Sequence, residues 1–480
     1  MSTDRTPTEL ALALDRSAPR PLAAQLADAL RGAAGSGRLR VGDRVPATRA
    51  LAAELGVSRT VTAAAYDQLL AEGWLAGRRG AGTFVLATPP SPAPVEGRVG
   101  GAAGGPVGEV ATGAPGGPVL HELRPGSPCL DVLDRAAWRR AWRRAGDFEP
   151  DGRPQHAGVP AFRAVVAELL VRHRGLPAAP DAVLATAGTT AGLAEVLGVL
   201  AARSGRPPRV AVEEPGYRRA VGAVRAAGGE VVTVGVDAGG LDVDALPSGV
   251  DAVYVTPAHQ YPLGARLALA RRAALVARAR AESFVVVEDD YDGELRYDAA
   301  PLPLLAGLAP DVVVHLGTAS KVLTPTLGTG WALAPPDLHT ELLAARRATG
   351  IRPAPAGQLV LAALGADGAL GRHLTRLRRE LAGRRRAVVA AVAAAGHGVT
   401  GDRAGAHLVV ELPDAATAVA AVSACRARGV AVDGLAAHHA GPAVRHGVLV
   451  GWAAPTRAAL PDALERLRDA LVGVGAGPDA

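Results

Sequence analysis

Short apolar segments alternate with helical ones along most of the chain, and this alternation predicts its architecture. Between residues 119 and 480 the apolar segments are mostly short, rich in β-branched residues and bounded by polar or turn residues, as strands are. The clearest are 183–187, 209–212, 252–256, 284–288 and 312–316. Helix-like stretches such as 267–281 separate them, a rhythm typical of a mostly parallel sheet covered on both faces. We therefore predict an α/β domain over residues 119–480.

The same pattern divides this domain into two parts. Residues from about 165 to 345 carry the strand–helix alternation and should form a large part around the sheet. The remainder, 346–480 together with 119–164, should form a smaller α+β part.

Residues 1–88 show a different, mostly helical pattern. Residues 51–58 and the segment after them predict helix, tight turn, helix, with Gly56 at the turn and Ser58 as the N-cap of the second helix. We expect its inner face to carry Val61, Ala65, Leu69 and Leu70, and its first turn to expose Ser58, Arg59, Thr60 and Thr62. Two strands around the glycine turn at 78–85 would add a wing. Such a unit either binds DNA or is a small interaction domain.

Residues 89–118 separate the two zones. They are rich in glycine, proline, alanine and valine and carry almost no large side chains. Because such a segment buries little apolar surface, we expect a flexible linker.

Composition narrows the class of protein. With 480 residues, 49% apolar and 20% charged, the chain is long enough for several globular domains. Its net charge of +6 is compatible with nucleic acid without proving it. Cys129 and Cys425 are too few for a disulfide framework or a four-cysteine metal site, and we predict no metal. Neither a signal peptide nor a membrane span is evident, so a cytoplasmic protein is expected.

A single lysine, Lys321, stands among 52 basic residues. Arginine replaces lysine everywhere else, so this position either kept a lysine by chance or needs a primary amine. Lys321 follows one predicted strand and Asp289 another, and ligands of open α/β sheets bind beyond such strand ends. An amine beside an acid suits a Schiff base with an aldehyde cofactor whose pyridinium proton the acid holds. The alternative is a surface lysine and a solvated acidic loop.

Three more strand-end loops favour the cofactor hypothesis, although each is weak by itself. The loop with Gly188, Thr189 and Thr190 precedes a helix whose N-terminus would suit a phosphate. The loop 213–217 ends in Tyr217, which would stack on a planar ring, and the loop 255–264 contains His259.

The N-terminal residues closely resemble the GntR family of winged-helix DNA-binding domains. The resemblance rests on 38–59 (RLRVGDRVPATRALAAELGVSR), AYDQL at 65–69, EGWL at 72–75 and GAGTFV at 80–85. It implies contacts to double-stranded DNA from a defined set of residues: Arg49, Ser58, Arg59, Thr60, Arg79, Gly80 and Thr83. Ala63 and Ala64 depart from the usual pattern, so the operator preference could differ.

The ordered loops of the C-terminal zone resemble fold-type I pyridoxal-phosphate enzymes of the aspartate aminotransferase class. Joined to a GntR-like domain, they look like the MocR family of pyridoxal-phosphate-dependent transcription regulators, whose variants include TPAHQ at 256–260 and EDDYDGE at 288–294. The resemblance implies Lys321 as the internal aldimine, Asp289 on the pyridine nitrogen and Tyr291 near the phenolic oxygen of the cofactor. It further implies stacking by Tyr217 and a cofactor environment completed by Gly188, Thr189, Thr190, Thr318, Ser320 and His259.

Two positions depart from this family. Gly328 stands where an arginine usually pairs with the phosphate, and Arg153 stands where a tyrosine usually reaches it from the partner subunit. We expect weaker phosphate binding unless Arg153 of the partner subunit supplies the missing cation.

The sequence thus predicts a cytoplasmic, homodimeric transcription regulator that binds pyridoxal phosphate and senses it or an amine. For an amino-acid effector, Arg219 and Arg445 are the candidate carboxylate partners. Two alternatives stay open: a working aminotransferase with a DNA-binding appendage, and a regulator whose cofactor site has degenerated.

Overall fold

The computed structural model describes residues 12–18, 20–35, 38–72, 74–78, 82–86, 120–149, 152–297 and 303–474. The chain divides into two compact units, residues 1–105 and 106–480, which are described separately. The predicted linker, 89–118, lies outside the described residues.

The first unit has the predicted helix-turn-helix followed by two strands. Its elements are α1 (Leu22–Gly35), α2 (Thr48–Glu54), α3 (Arg59–Ala71), β1 (Leu75–Arg78) and the antiparallel β2 (Gly82–Val85). Gly56 has φ +63° between α2 and α3, a conformation that favours glycine. The Ser58 hydroxyl accepts the N–H of Val61 at 3.4 Å and so caps α3 as expected.

The buried face of α3 differs from the prediction at two positions. Thr62 was expected outside but is fully buried, because its hydroxyl donates to the carbonyls of Thr48 and Arg59, each at 3.0 Å. Leu70 was expected inside but is 38% exposed. Tyr66 is buried on this helix instead, and its hydroxyl donates to the carbonyl of Pro46 at 2.7 Å.

The second unit contains one large and two small sheets in the described ranges. The strands are β3 (His121–Glu122), β4 (Leu184–Thr186), β5 (Arg209–Glu214), β6 (Glu230–Asp237), β7 (Gly240–Leu241), β8 (Ala252–Val255), β9 (Val285–Asp290), β10 (Val313–Thr318), β11 (Gly330–Leu333), β12 (His407–Leu412), β13 (Val430–Ala431), β14 (Asp433–Gly434) and β15 (His446–Gly451). The large sheet has the order β4-β11-β10-β9-β8-β5-β6-β7. Its centre, from β10 to β6, is parallel, and the strands at both ends pair antiparallel.

Helices cover both faces of this sheet, as the sequence pattern predicted. The helices described in the second unit are α4 (Arg135–Gly146), α5 (Pro160–Leu169), α6 (Thr189–Ser204), α7 (Arg218–Ala226), α8 (Leu269–Glu282), α9 (Leu305–Leu308), α10 (Pro336–Thr349), α11 (Pro355–Ala366), α12 (Ala369–Ala394), α13 (Ala415–Ala427) and α14 (Leu460–Leu471). Side chains of α6, α7 and α10 pack on one face, and those of α8 and α9 pack on the other. No helix in the described ranges has the length and apolar character that crossing a bilayer requires.

The smaller part lies towards the C-terminus and also includes the first described residues of the second unit. A three-stranded sheet, β12-β15-β14, forms its centre. Strand β3, from the start of the unit, pairs with β13 in parallel, which places residues near 121 with this part. The segment 438–441 reaches the loop after β5, where the Gly216 N–H donates to the carbonyl of His438 at 2.9 Å.

Candidate functional site

The predicted lysine and acid lie at one edge of the parallel sheet. Asp289 is on β9, directly opposite Leu316 of the parallel strand β10, and Lys321 follows the end of β10. The Lys321 ammonium donates to the carbonyl of Gly126 at 2.9 Å. Burial lowers the pKa of Lys321, the charge of Arg219 lowers it further, and the carboxylate of Asp289 opposes both. The two groups are therefore close enough for their charges to interact.

Asp289 is a buried carboxylate with one of its two oxygens bound by a protein donor. Its side chain is only 3% exposed, and Tyr254 donates its hydroxyl to Oδ2. The other oxygen, Oδ1, accepts no hydrogen bond within the described residues. Burial raises the pKa of Asp289 to about 6, although the hydroxyls of Tyr254 and Thr189 and the charge of Lys321 lower it. A buried acceptor without a donor costs free energy, so this oxygen suits a ligand N–H.

Three tyrosine rings stand edge to face near this acid. Tyr217, at the N-cap of α7, has its ring centroid 5.7 Å from that of Tyr261, and Tyr261 lies 6.0 Å from Tyr291. The Tyr291 hydroxyl donates to the carbonyl of His259 at 3.0 Å and lies 3.1 Å from its Nδ1. Burial raises the pKa of all three phenols, so they remain protonated donors near neutral pH.

The predicted phosphate residues converge at the start of α6. The helix begins at Thr189, and Gly188 precedes it with φ +134°, which favours glycine. A Cβ at Gly188 would lie 3.9 Å from the Thr318 hydroxyl. Thr318 donates to the Ser320 hydroxyl at 3.0 Å and accepts the Ser320 N–H at 3.1 Å. A helix N-terminus and two hydroxyls thus face one place, an arrangement that suits an anion.

Gly328, which replaces the arginine usual in the family, is surrounded by open space where a side chain would extend. Gly328 ends a turn at Pro325–Leu327 with φ +55°, and a Cβ there would meet nothing within 4 Å. Arg153, the predicted replacement from the partner subunit, is an exposed residue between α4 and α5. Its role stays a prediction.

The two candidate effector arginines have different surroundings. Arg219 is exposed in the first turn of α7, and its charge influences Lys321. Arg445 forms an ion pair with Glu411 of β12. Arg219 therefore lies within electrostatic reach of the lysine, while the guanidinium of Arg445 is already paired.

His259, predicted from the sequence, belongs to a buried network with Asp292 and His407, which were not predicted. The Nδ1 of His259 and Oδ2 of Asp292 are 2.9 Å apart, and the ring of His407 lies 5.0 Å from that of His259. These three groups are close enough to share a metal ion. However, His259 already bonds Asp292, and His407 Nε2 lies 3.2 Å from the carbonyl of Pro262, so the contacts are those of a hydrogen-bonded network.

Glu213 and Tyr254 also lie at the site, and neither was predicted from the sequence. Glu213 accepts the hydroxyl of Thr256 at 2.6 Å and its N–H at 3.2 Å, and burial raises the pKa of Glu213 to about 7. Tyr254 lies inside an apolar strand, where a tyrosine resembles an ordinary core residue. Glu213 and Asp292 belong to strand-end loops that the sequence already indicated. Their position beside other acids in those loops could have marked them as site residues. His407 gave no such signal.

The predicted DNA-binding residues are exposed on the helices and half-buried at Thr83 of the wing. Arg49, Ser58, Arg59 and Thr60 are exposed on α2 and at the start of α3, and neither arginine forms an ion pair within the described ranges. Thr83 is half-buried in β2. Arg79 and Gly80 lie outside the described residues.

Comparison with known families covers both units. Residues 22–85 match the family described as bacterial regulatory proteins, gntR family. Residues 127–467 match aminotransferase class I and II.

Individual relatives match about three quarters of the chain. The chain is 39% identical over 374 residues to an HTH-type pyridoxine biosynthesis transcriptional regulator of Corynebacterium glutamicum, covering 77% of this chain and 79% of that one. It is 33% identical over 392 residues to a probable rhizopine catabolism regulatory protein of Rhizobium meliloti, covering 79% and 78%. Among solved structures, an α-aminoadipate aminotransferase of Thermus thermophilus, complexed with N-(5'-phosphopyridoxyl)-L-leucine, matches with a TM-score of 0.65 and 26% identity, covering 74% of this chain and 92% of that one.

Proposed function

Because the chain belongs to the MocR-type transcription regulators, which join a GntR domain to a class I and II aminotransferase domain, we propose that it controls transcription in response to a ligand of its second unit. The ligand site is the sheet edge around Lys321 and Asp289. The cofactor we propose there is pyridoxal 5'-phosphate, which supplies an aldehyde for a primary amine and a ring that withdraws electrons.

The single observation that carries this proposal is the free oxygen of Asp289. A carboxylate that is 3% exposed, and whose Oδ1 is within hydrogen-bond distance of no donor among the described residues, suits the protonated nitrogen of a pyridine ring. The only amine-bearing side chain of the protein lies close enough to interact with that carboxylate. An acid and an amine at the two ends of a planar ligand are what this cofactor requires.

The remaining residues have distinct parts in this proposal. Tyr217 stacks on the ring, Tyr291 and His259 border its phenolic oxygen, and the start of α6 binds the phosphate through Gly188, Thr189, Thr190, Thr318 and Ser320. Arg153 of the partner subunit supplies a cation in place of the one absent at Gly328.

For the effector we propose a small amine or amino acid. Its amine would exchange with Lys321, and its carboxylate would pair with Arg219, whose charge already reaches the lysine. Arg445 becomes a second partner only if its ion pair with Glu411 opens. Effector binding would then shift the second unit between conformations. This shift would change the affinity of a cytoplasmic homodimer for its DNA.

The test combines a spectrum with a DNA-binding assay. Purified protein with added pyridoxal phosphate should develop visible absorbance of the lysine-bound cofactor, and Lys321→Ala should not. Duplexes selected from a random library by the wild-type protein should change affinity when an amino acid that alters this absorbance is added. Absence of the absorbance in the wild type would refute the cofactor site. Steady product formation from an amino acid and a keto acid would favour the aminotransferase alternative.

A further inference from the structure

Tyr254 has no role in the proposed function so far, yet its hydroxyl donates a hydrogen bond to Asp289, the residue proposed to bind the pyridine nitrogen. It lies on β8 between β5 and β9, opposite Val212 on one side and Val287 on the other. Its side chain is 2% exposed. Burial raises the pKa of Tyr254 well above its usual value, so the phenol keeps its proton and donates to Oδ2 of Asp289.

The surroundings of Asp289 otherwise favour its neutral form. Burial is the largest influence, and the neighbouring carboxylate of Asp290 adds to it. Glu213, on the adjacent strand β5, interacts unfavourably with the same carboxylate. Against these act Tyr254, Thr189 at the start of α6, and the charge of Lys321. The pKa of about 6 that results leaves little margin before the acid becomes protonated at neutral pH.

We propose that Tyr254 is a positioning residue, which keeps Asp289 ionised and turns its Oδ1 toward the pyridine nitrogen of the cofactor. This inference rests on the proposed cofactor site. An ionised carboxylate accepts the pyridinium N–H strongly, whereas a protonated one has lost that charge. The hydroxyl of Tyr254 binds Oδ2 and leaves Oδ1 for the ligand, so it orients the carboxylate and, with Thr189 and Lys321, favours its ionised form.

Tyr254→Phe tests this with a pH signature. The change removes one hydroxyl and keeps the ring that packs in the sheet. Without the donor the pKa of Asp289 should rise above 6, so the variant should bind pyridoxal phosphate about five- to tenfold more weakly than wild type at pH 6.5. At pH 8.5 the carboxylate is ionised in both proteins, and the ratio of affinities should fall below about twofold. Expressing the result as a ratio cancels the titration of the cofactor and of Lys321.

Tyr297→Phe is the matched control. Tyr297 is a partly buried tyrosine of the same unit, and its hydroxyl donates to the carbonyl of Gly405 instead of to a carboxylate. Its affinity ratio to wild type should be the same at both pH values. Visible absorbance of the lysine-bound cofactor reports binding, and the thermal midpoint of each variant shows that it is folded.

The outcomes separate this inference from the proposed function. If wild type binds the cofactor and Tyr254→Phe loses affinity equally at both pH values, or loses none, Tyr254 does not act through the charge of Asp289 and the inference is wrong. If wild type develops no absorbance at all, the proposed cofactor site itself fails.

Discussion

The backbone N–H of Ala440 donates to both carboxylate oxygens of Glu214, at 2.9 and 3.0 Å. Gly441 donates to the same carboxylate at 3.2 Å. Glu214 ends β5, three residues before Tyr217, whereas Ala440 belongs to the smaller part. One acidic side chain thus connects the loop that ends at Tyr217 to the smaller part.

We predict that Glu214→Gln weakens these hydrogen bonds to Ala440 and Gly441. An amide accepts hydrogen bonds more weakly than a carboxylate, so the segment 438–441 should open more often. Hydrogen exchange at the Ala440 and Gly441 amides should accelerate about five- to tenfold, which corresponds to about 1 kcal/mol. Glu341→Gln, which alters a surface ion pair with Arg203, should leave exchange there unchanged. Unchanged exchange in Glu214→Gln would mean that the carboxylate of Glu214 does not stabilise the segment 438–441.

The charge of Arg219 should tune the reactivity of Lys321. Because Arg219 lowers the pKa of Lys321, Arg219→Ala should raise it and reduce the fraction of neutral amine at a given pH. The rate at which visible absorbance develops after adding pyridoxal phosphate should therefore fall several-fold near pH 7.5. Its pH profile should move to higher pH.

Arg445→Ala is the control for this experiment. Its guanidinium pairs with Glu411, so its removal should not move the pH profile. Equal profiles for Arg219→Ala and wild type would show that the charge of Arg219 does not reach the lysine in solution.

A buried ion pair next to the site should matter for stability. Arg174 and Asp290 form two parallel hydrogen bonds of 2.6 and 2.8 Å, with side chains 1% and 2% exposed. Arg174→Ala leaves Asp290 buried without its partner, which costs about 3–5 kcal/mol. The unfolding midpoint in urea should fall accordingly. Arg203→Ala, at a surface pair, should cost at most about 1 kcal/mol. Similar losses in both variants would contradict this prediction.

The exposed arginine at the start of α3 should contribute to DNA affinity. Arg59 forms no ion pair within the described ranges, so Arg59→Ala should weaken binding to a random-sequence duplex at low salt. If Arg59 contacts a phosphate, the slope of log affinity against log salt should decrease by about 1. Arg31, already bound by Asp28 and Glu72, provides the control variant Arg31→Gln, for which the slope should not change. Wild-type affinity and slope in Arg59→Ala would exclude the phosphate contact.

Local patterns of the sequence determined the elements and the central residues of the site. Apolar periodicity and turn residues located β9 and β10, Gly56 and the Ser58 cap, because these features depend on neighbours within a few positions. Lys321 and Asp289 could be placed together because parallel strands end at one edge of their sheet.

Only the tertiary structure decided which distant groups meet. That Tyr254 donates to Asp289 depends on β8 lying beside β9, and that His407 joins His259 depends on how the smaller part packs. The burial of Thr62 likewise follows from a carbonyl of another helix, that of Thr48. A hydrogen bond between remote segments is determined by strand order and packing. The apolar periodicity of a segment does not indicate which other segment lies beside it.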